Sequence, residues 1–343
     1  MSRVCQTPAN CADRGETQHA IRGFLRDYGL LLLAVVIECV IFEALARHRG
    51  RPSFLSYSSF VNILNQSAVY GVLSVGMTFV ILTGGIDLSV GSLIAFGGVL
   101  CSSIVRAGAG MEGGGAAWIW IIAGWTAALT AGLASGCIAG ALVTRVKVPP
   151  FIATLALMSS LRGLGYILAG GQPIAPLPEA YTFLGRHWIA GRAPVGVVVM
   201  LGVFALGAVL LNTTRFGRRV RATGGNEEAA RLSGVNVGLT KLAVYSMCGM
   251  LAVLGGLIVS SKLGSGDPKA GFGDELNVIA AVVVGGTSLS GGRGTIGGTF
   301  VGLMVVSVLS SGLNWIGVES FGQQVVLGIV ILAAVLLDRF KAR

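Results

Sequence analysis

The stretch PVGVVVMLGVFALGAVLLN, residues 194–212, carries no charged side chain and is long enough to cross a bilayer as a helix. A hydrocarbon core of about 30 Å needs roughly 20 apolar helical residues. The whole chain has this character, because 53% of its residues are hydrophobic, only 12% are charged, and its mean hydropathy is +0.79. A soluble domain could not cover so much apolar surface. The sequence therefore predicts an all-α integral membrane protein.

Further apolar runs predict a polytopic helix bundle with about ten transmembrane helices, some of them short or broken. The second run, at residues 67–83, and the eighth, at residues 277–290, are short for a full crossing and end in glycine-rich sequence. This favours broken or re-entrant helices inside the bundle. A polar tail at residues 1–27 precedes the transmembrane domain, which we place at residues 28–340. The predicted spans are residues 29–46, 67–83, 88–105, 116–144, 148–169, 194–212, 241–263, 277–290, 295–313 and 323–338.

Basic residues indicate the orientation, because loops rich in Lys and Arg stay in the cytoplasm. With both termini cytoplasmic, most of the 25 lysines and arginines lie in cytoplasmic loops or tails. Arg47, Arg49 and Arg51 contradict this pattern, since they follow the first span and would lie outside. They leave open a second interpretation, in which the first apolar run is a signal peptide cleaved after residue 46. The net charge of +10 is spread over loops rather than gathered on one face, so no nucleic-acid partner is expected.

No group of side chains predicts catalysis or metal binding. The six cysteines lack metal-ligand spacing, and the three histidines lie in predicted tails or loops without a nucleophile beside them. No lysine is followed by Ser or Thr, so the chain lacks the P-loop by which many proteins hydrolyse ATP. An ion-driven carrier would need buried acids, for which Glu38 and Asp87 are the serious candidates. Energy for any transport is therefore expected to come from a partner.

Two glycine-rich strings share the pattern GGxxLSxG, at residues 84–91 and 285–292. Glycine-interrupted segments in the two halves of a transporter often mark its working centre, because unwound backbone exposes its dipoles. Chance similarity in a chain with 53 glycines is the competing interpretation. With ten spans, both strings end a span that runs inward, so the relation would be parallel. Asp87 in the first string is either a contact for the cargo or a cap for the following helix, and the cap is favoured.

The polar loop at residues 213–240 contains EAARLSG at residues 228–234, which predicts a helix of about two turns outside the bilayer. Asn226 is a suitable N-cap, Glu227 and Glu228 suit the first turn, and Gly234 suits the end. We interpret this helix as a docking surface for a soluble partner. A cytoplasmic anchor formed by the arginines at residues 215–221 is the alternative, although it would need no helix. The expected apolar face consists of Ala229, Ala230 and Leu232, beside Arg231.

Four strings in order along the chain resemble the permease subunits of bacterial ABC importers for ribose, xylose and related monosaccharides. The resemblance covers about residues 54–337, and the strings follow one another at the spacing of that family. They are ILTGGIDLSVGS at 81–92, FIATLALMSSLRG at 151–163, GGNEEAARLSGVNV at 224–237 and IAAVVVGGTSLSGGRGTIGGT at 279–299.

The resemblance implies a permease without its own ATPase site in the bacterial inner membrane. Its partners would be a second permease copy, a periplasmic sugar-binding protein, and an ATPase subunit whose two nucleotide-binding domains hold ATP and Mg²⁺. Residues 226–234 would be the segment that couples the permease to the ATPase, and Asp87, Ser89 and Asn277 would line the translocation path. The cargo would be a monosaccharide, with a nucleoside, an amino acid or another small polar solute as the alternative.

Overall fold

The computed structural model describes residues 9–108, 114–191 and 193–341, and the described part is almost entirely helical. Residues 1–8 of the predicted tail lie outside the described residues, and the backbone of residues 9–27 continues the first helix. The helices are α1 (Ala9–His48), α2 (Tyr57–Leu82), α3 (Val90–Gly108), α4 (Gly114–Thr144), α5 (Pro150–Ala169), α6 (Phe183–Arg186), α7 (Val195–Thr213), α8 (Arg215–Gly225), α9 (Glu227–Leu232), α10 (Val237–Leu263), α11 (Asp274–Val284), α12 (Ile296–Trp315) and α13 (Ser320–Lys341). A 3-10 helix at Glu179–Thr182 and a hairpin of strands β1 (Trp188–Ile189) and β2 (Ala193–Pro194) lie between α5 and α7.

Eight of the described helices are long and apolar enough to cross a membrane, which confirms a polytopic helical membrane protein. They are α2, α3, α5, α7, α10 and α12, the Tyr28–His48 part of α1 and the Ala117–Thr144 part of α4. Helix α11 and the apolar Ser320–Leu336 part of α13 are shorter, and with them the described helices reach the predicted number of about ten.

The second span is not short, so this prediction was wrong. Helix α2 begins at Tyr57, where the Ser56 side chain accepts a hydrogen bond from the Ser59 amide, and it runs for 26 residues. Polar side chains in its first half, at residues 62, 65 and 66, lowered the hydropathy of that region and concealed the helix start. The eighth span is short as predicted, because α11 has only 11 residues.

Helices α2 and α10 cross antiparallel in the centre of the bundle, because Gly76 of α2 contacts Cys248, whereas Gly255, later in α10, contacts Leu73, earlier in α2. A Cβ on Gly76 in α2 would lie 2.9 Å from the Cys248 Cα in α10, so the two backbones are nearly in contact at this point. Such close approach without a side chain between helices is typical of small residues in membrane bundles. The end of α2 therefore lies at one face of the bundle, which we call the α8 face, and the end of α10 lies at the opposite face.

After α2, the chain re-enters the bundle before α3 starts. Residues 83–89 form no helix beyond turns, and Gly85 contacts Tyr245 while Ile94 in α3 contacts Gly256. The Gly256 contact lies about 29 Å from the start of α10, which is about 40 Å long, and the first turn of α3 accounts for about 6 Å of that height. Helix α3 therefore begins near the middle of the bundle.

A second link enters from the opposite face. After α10, Gly266 contacts Ser102 near the end of α3, and Gly271 contacts Gly91 at the start of α3. Helix α11 then begins beside Gly91, which lies against the Glu275 carboxylate. The starts of α3 and α11 thus meet at mid-depth, each reached from a different face.

The bundle contains an inverted repeat. Helix α3 packs on α10, α4 and α5, and α11 correspondingly packs on α2, α12 and α13. The units α2–α5 and α10–α13 are therefore related with opposite direction across the membrane, as in many transporters. The two glycine strings are not the copies related by this repeat, because both follow helices, α2 and α11, that end at the α8 face, in agreement with the parallel relation predicted for the strings.

Helix α1 packs along α12, with Phe42 against Gly312. The arginines that follow α1 lie at the opposite face, where Arg49 donates to the Ile316 carbonyl and Arg51 to the Trp315 carbonyl. The last carbonyls of a helix lack partners within the helix, and a cation satisfies them well. These arginines therefore have a structural use at that face, which explains why they depart from the charge pattern of the other loops.

Candidate functional site

The polar loop at residues 213–240 contains two helices, α8 and α9, where the sequence predicted one. Helix α8 starts at Thr214, whose hydroxyl accepts a hydrogen bond from the Gly217 amide at 3.2 Å. Its inner side buries Val220 and stacks Phe216 on Phe79 of α2, with ring centroids 6.0 Å apart. Its basic side chains at residues 215, 218 and 219 are exposed. The arginines of the anchor alternative therefore form the outer side of an amphipathic helix, at residues 215, 218 and 219.

Helix α9 has closed caps at both ends. Asn226 accepts a hydrogen bond from the Ala229 amide at 2.9 Å, which satisfies one of the free donors of the first turn. At the other end, Gly234 has φ of +81°, and the Val235 amide donates to the Ala230 carbonyl at 3.0 Å. This is the Schellman arrangement, in which glycine takes the left-handed position. Two short turns that would be unstable alone are thereby held in one conformation.

An ion pair fastens α9 to α10. Glu227 accepts from the Lys241 ammonium at 2.6 Å and from the Arg231 guanidinium at 3.1 Å. The Lys241 side chain is only 16% exposed, so the link lies partly under the surface. Glu228 is exposed, and its carboxylate makes no hydrogen bond to another described residue. Of the two glutamates, Glu227 orients the helix and Glu228 is available to a partner.

The exposed apolar side of α9 differs from the predicted one. Ala230 is buried against the bundle, whereas Leu232 is 85% exposed and Ala229 is exposed beside it. Leu239 at the start of α10 and Val146 after α4 are exposed on the same face. A shallow groove lies between the end of α4 and the start of α10. It is lined by Thr144, Arg145, Asn236, Gly238, Leu239 and Leu242.

Asp87 and Ser89 lie together on the link between α2 and α3. Both are buried, and Asp87 accepts hydrogen bonds from the Ser89 amide at 2.9 Å and from its hydroxyl at 2.6 Å. The Ser89 carbonyl accepts from the Leu93 amide, so α3 is initiated at Ser89. The second carboxylate oxygen of Asp87 is buried and has no hydrogen-bond partner among the described residues. In this structure Asp87 holds the start of α3 at mid-depth.

Asn277 lies in α11, and its amide donates to Asp274 at 3.5 Å rather than to Asp87 or Ser89. Asp274 also accepts from the Tyr70 hydroxyl of α2 at 3.1 Å. The predicted path residues therefore form two groups, one on the link between α2 and α3 and one at the start of α11.

Arg162 of α5 bonds to the link between α10 and α11, and this role was not predicted from the sequence. Its guanidinium donates to the Ala270 carbonyl at 2.6 Å, to that of Pro268 at 3.2 Å and to that of Gly271 at 3.3 Å. It also lies 5.9 Å from the ring centroid of Phe272, which is 87% exposed. Arg162 is the one charged residue in the predicted span at 148–169, and a lone charge inside a span is itself a signal of function.

One side of α5 is uncovered, and this side is polar around residues 159–163 although Ile152 and Ile167 on it are also exposed. The helix buries Ala153, Thr154, Leu161 and Gly165, while residues 159, 160 and 163, which are Ser, Ser and Gly, are exposed at the depth of the spans. Exposed hydroxyls beside a guanidinium are poorly suited to lipid.

The chain matches a known family over most of its length. Residues 59–335 match the family described as the permease component of branched-chain amino acid transport systems. The chain belongs to this family of transport permeases. It is 45% identical over 316 residues to the ribose import permease protein RbsC of Bacillus subtilis, covering 92% of each chain. It is 43% identical to the ribose import permease protein RbsC of Escherichia coli, covering 90% of this chain and 93% of the relative. It is 35% identical to the L-arabinose transport system permease protein AraH of Escherichia coli, covering 92% and 91%. No solved structure matches the chain.

Among its described residues, the permease brings no three His, Cys, Asp or Glu side chains into a group that could hold a metal ion. Among its buried polar residues, Asp87 and Ser89 are bonded to each other on the link between α2 and α3. This permease is thus a membrane bundle that exposes helix α9 on its α8 face. Inside the bundle, the starts of α3 and α11 meet at mid-depth.

Proposed function

We propose that the chain is the membrane-spanning subunit of an ATP-driven importer that carries a monosaccharide of the ribose or arabinose type. The observation that carries this proposal is helix α9, which is capped at both ends and fastened to α10, yet exposes Leu232 and Glu228. An apolar side chain held rigidly in water has little use within its own chain and suits a protein partner. The named substrates of the similar permeases support a sugar as cargo.

The energy would come from an ATPase subunit whose two nucleotide-binding domains hold ATP and Mg²⁺. This subunit would dock on residues 226–234, the coupling segment, and on the groove between α4 and α10. The α8 face would then be cytoplasmic, with both termini on that side of a bacterial inner membrane. The arginines of α8 fit this orientation, because basic residues are retained in the cytoplasm. A periplasmic sugar-binding protein would deliver its cargo at the opposite face.

A second copy of the permease would cover the polar side of α5. Ser159, Ser160 and Arg162 need a wet or protein environment, and a homodimer with a path between its two copies supplies one. Arg162, Phe272 and Asn277 would then border this path. Guanidinium and amide groups donate hydrogen bonds to hydroxyl groups, and an exposed aromatic ring can stack on the face of a sugar.

Alternating access follows from the two links. ATP binding would close the ATPase, move the coupling segment and open the bundle toward the binding protein, and hydrolysis would reset it. The starts of α3 and α11 meet at mid-depth, so a shift at either link would change the width of the path at that level.

The test is solute uptake by proteoliposomes that contain the permease, its ATPase and its binding protein. We expect ATP-dependent uptake of ribose or arabinose, unaffected by a proton uncoupler. An ATPase that cannot hydrolyse ATP is the control and should abolish uptake. Uptake of leucine but not of either sugar would replace the sugar with a branched-chain amino acid, the solute named by the family description. Uptake that persists without ATP and stops with the uncoupler would contradict the proposal and favour an ion-driven carrier.

A further inference from the structure

Three backbone segments meet at the corner between α8 and α9. A Cβ placed on Gly224 would overlap the Leu82 carbonyl oxygen and lie 2.5 Å from the Gly292 nitrogen. These two partners are also bonded to each other, since the Gly292 amide donates to the Leu82 carbonyl at 2.9 Å. The end of α8, the end of α2 and the loop between α11 and α12 are therefore in direct contact at one point.

Each of the three segments continues into a different element of the proposed transport mechanism. Asn226, two residues after Gly224, is the cap of α9 and the start of the coupling segment. Leu82 ends α2 and precedes the link that places Asp87 and the start of α3 at mid-depth. Gly292 belongs to the loop that follows α11, the other helix that starts at mid-depth. The contact thus joins the docking helix to the link between α2 and α3 and to the end of α11.

We propose that Gly224 is the residue through which a movement of the coupling segment reaches the link between α2 and α3 and the end of α11. A contact made by long side chains can absorb a displacement by a change of rotamer, whereas packed backbone atoms have no such freedom. A shift of the α8–α9 corner must therefore move Leu82 and Gly292 or separate them. The inference rests on the proposed function, because it assumes that an ATPase moves the coupling segment.

The chain offers a matched control in the next residue. A Cβ on Gly225 would meet no atom within 4 Å, whereas a Cβ on Gly224 would be forced into the Leu82 carbonyl. Both glycines lie in α8, so alanine changes helix propensity in the same direction at each position. A difference between Gly224→Ala and Gly225→Ala therefore reports the contact and not the helix.

The experiment compares the wild type and the two variants in the reconstituted transporter. For each, ATPase binding, ATP hydrolysis and solute uptake are measured, and uptake is divided by hydrolysis. We expect Gly224→Ala to bind the ATPase and to permit hydrolysis, because the exposed side of α9 is unchanged, but to lower uptake per ATP by about 5-fold or more. Gly225→Ala should keep the wild-type ratio. An unchanged ratio in Gly224→Ala, or an equal loss in both variants, would overturn the inference.

A measurement on the wild type keeps the test independent of how well Gly224→Ala folds. Hydrogen exchange of the intact transporter is followed with and without ADP and vanadate. We expect the exchange of residues 286–294 to change together with that of residues 226–234, since the Gly292 amide is bonded at the contact. A nucleotide response in residues 226–234 alone would overturn the inference. If the wild type fails to take up solute at all, the proposed function fails instead, and the two failures are distinct.

Discussion

Replacing Leu232 by alanine isolates the docking role of α9. The side chain is 85% exposed and is held at the end of a capped helix. Removing its three outer carbons should leave the bundle as stable as before, because these atoms contact little of their own chain. The melting temperature of the purified permease in detergent should therefore not change.

The affinity for the ATPase should fall instead. Burying three carbons is worth about 0.8 kcal/mol each, and with 85% of the side chain available to a partner the loss is about 2 kcal/mol. This free energy corresponds to a dissociation constant that is roughly 30-fold higher. The assay is the equilibrium binding of labelled ATPase to the solubilised permease.

Leu206 of α7 supplies the control, because it is 72% exposed but lies in a span and away from the α8 face. Leu206→Ala should bind the ATPase with wild-type affinity. The docking argument is refuted if Leu232→Ala binds within about two-fold of the wild type, or if both variants lose affinity equally.

Three further predictions concern single side chains. Glu228→Gln should weaken ATPase binding without lowering the melting temperature, because the carboxylate is exposed and makes no hydrogen bond to another described residue; a lower melting temperature would contradict this. Gly234→Ala places a side chain at φ of +81° and should destabilise α9 by about 1–2 kcal/mol. The measurement is amide hydrogen exchange, which should become faster in residues 227–232 relative to the rest of the α8 face. Asp87→Asn keeps an acceptor for both Ser89 donors and should fold normally. Asp87→Ala should lower the free energy of unfolding in SDS by about 1–3 kcal/mol. Equal stability of the two variants would show that the acceptor is unimportant.

Features that depend on neighbouring residues were predictable from the sequence. The bounds of α9 follow from Asn226 and Gly234, since a cap and a left-handed glycine act within a few residues. The long apolar spans were predictable for a similar reason, because hydropathy is a property of consecutive residues. The Gly-rich end of the eighth span likewise indicated correctly that it is short.

Features that depend on tertiary contacts were not predictable. The polar first half of α2 is helical because it packs in the bundle, and a hydropathy window treats it as a loop. Helix α8 forms because its arginines face outward while Val220 and Phe216 reach the bundle, and eleven residues with three glycines do not predict a helix alone. The backbone carbonyls that accept hydrogen bonds from Arg162 lie more than a hundred positions away in the sequence.

The two GGxxLSxG strings show why identical letters can mislead. In the first string Gly84 has φ of +75° and open space around it, while Gly85 packs against Tyr245. In the second string the order is reversed, because Gly285 packs against the α12 backbone and Gly286 has φ of +86° and open space. Glycine is required for two different reasons, a left-handed backbone conformation or the close approach of another segment, and the sequence alone does not distinguish them. The strings are therefore alike in composition but exchanged in role, and the true repeat of this bundle relates the first string to the link between α10 and α11 at the opposite face.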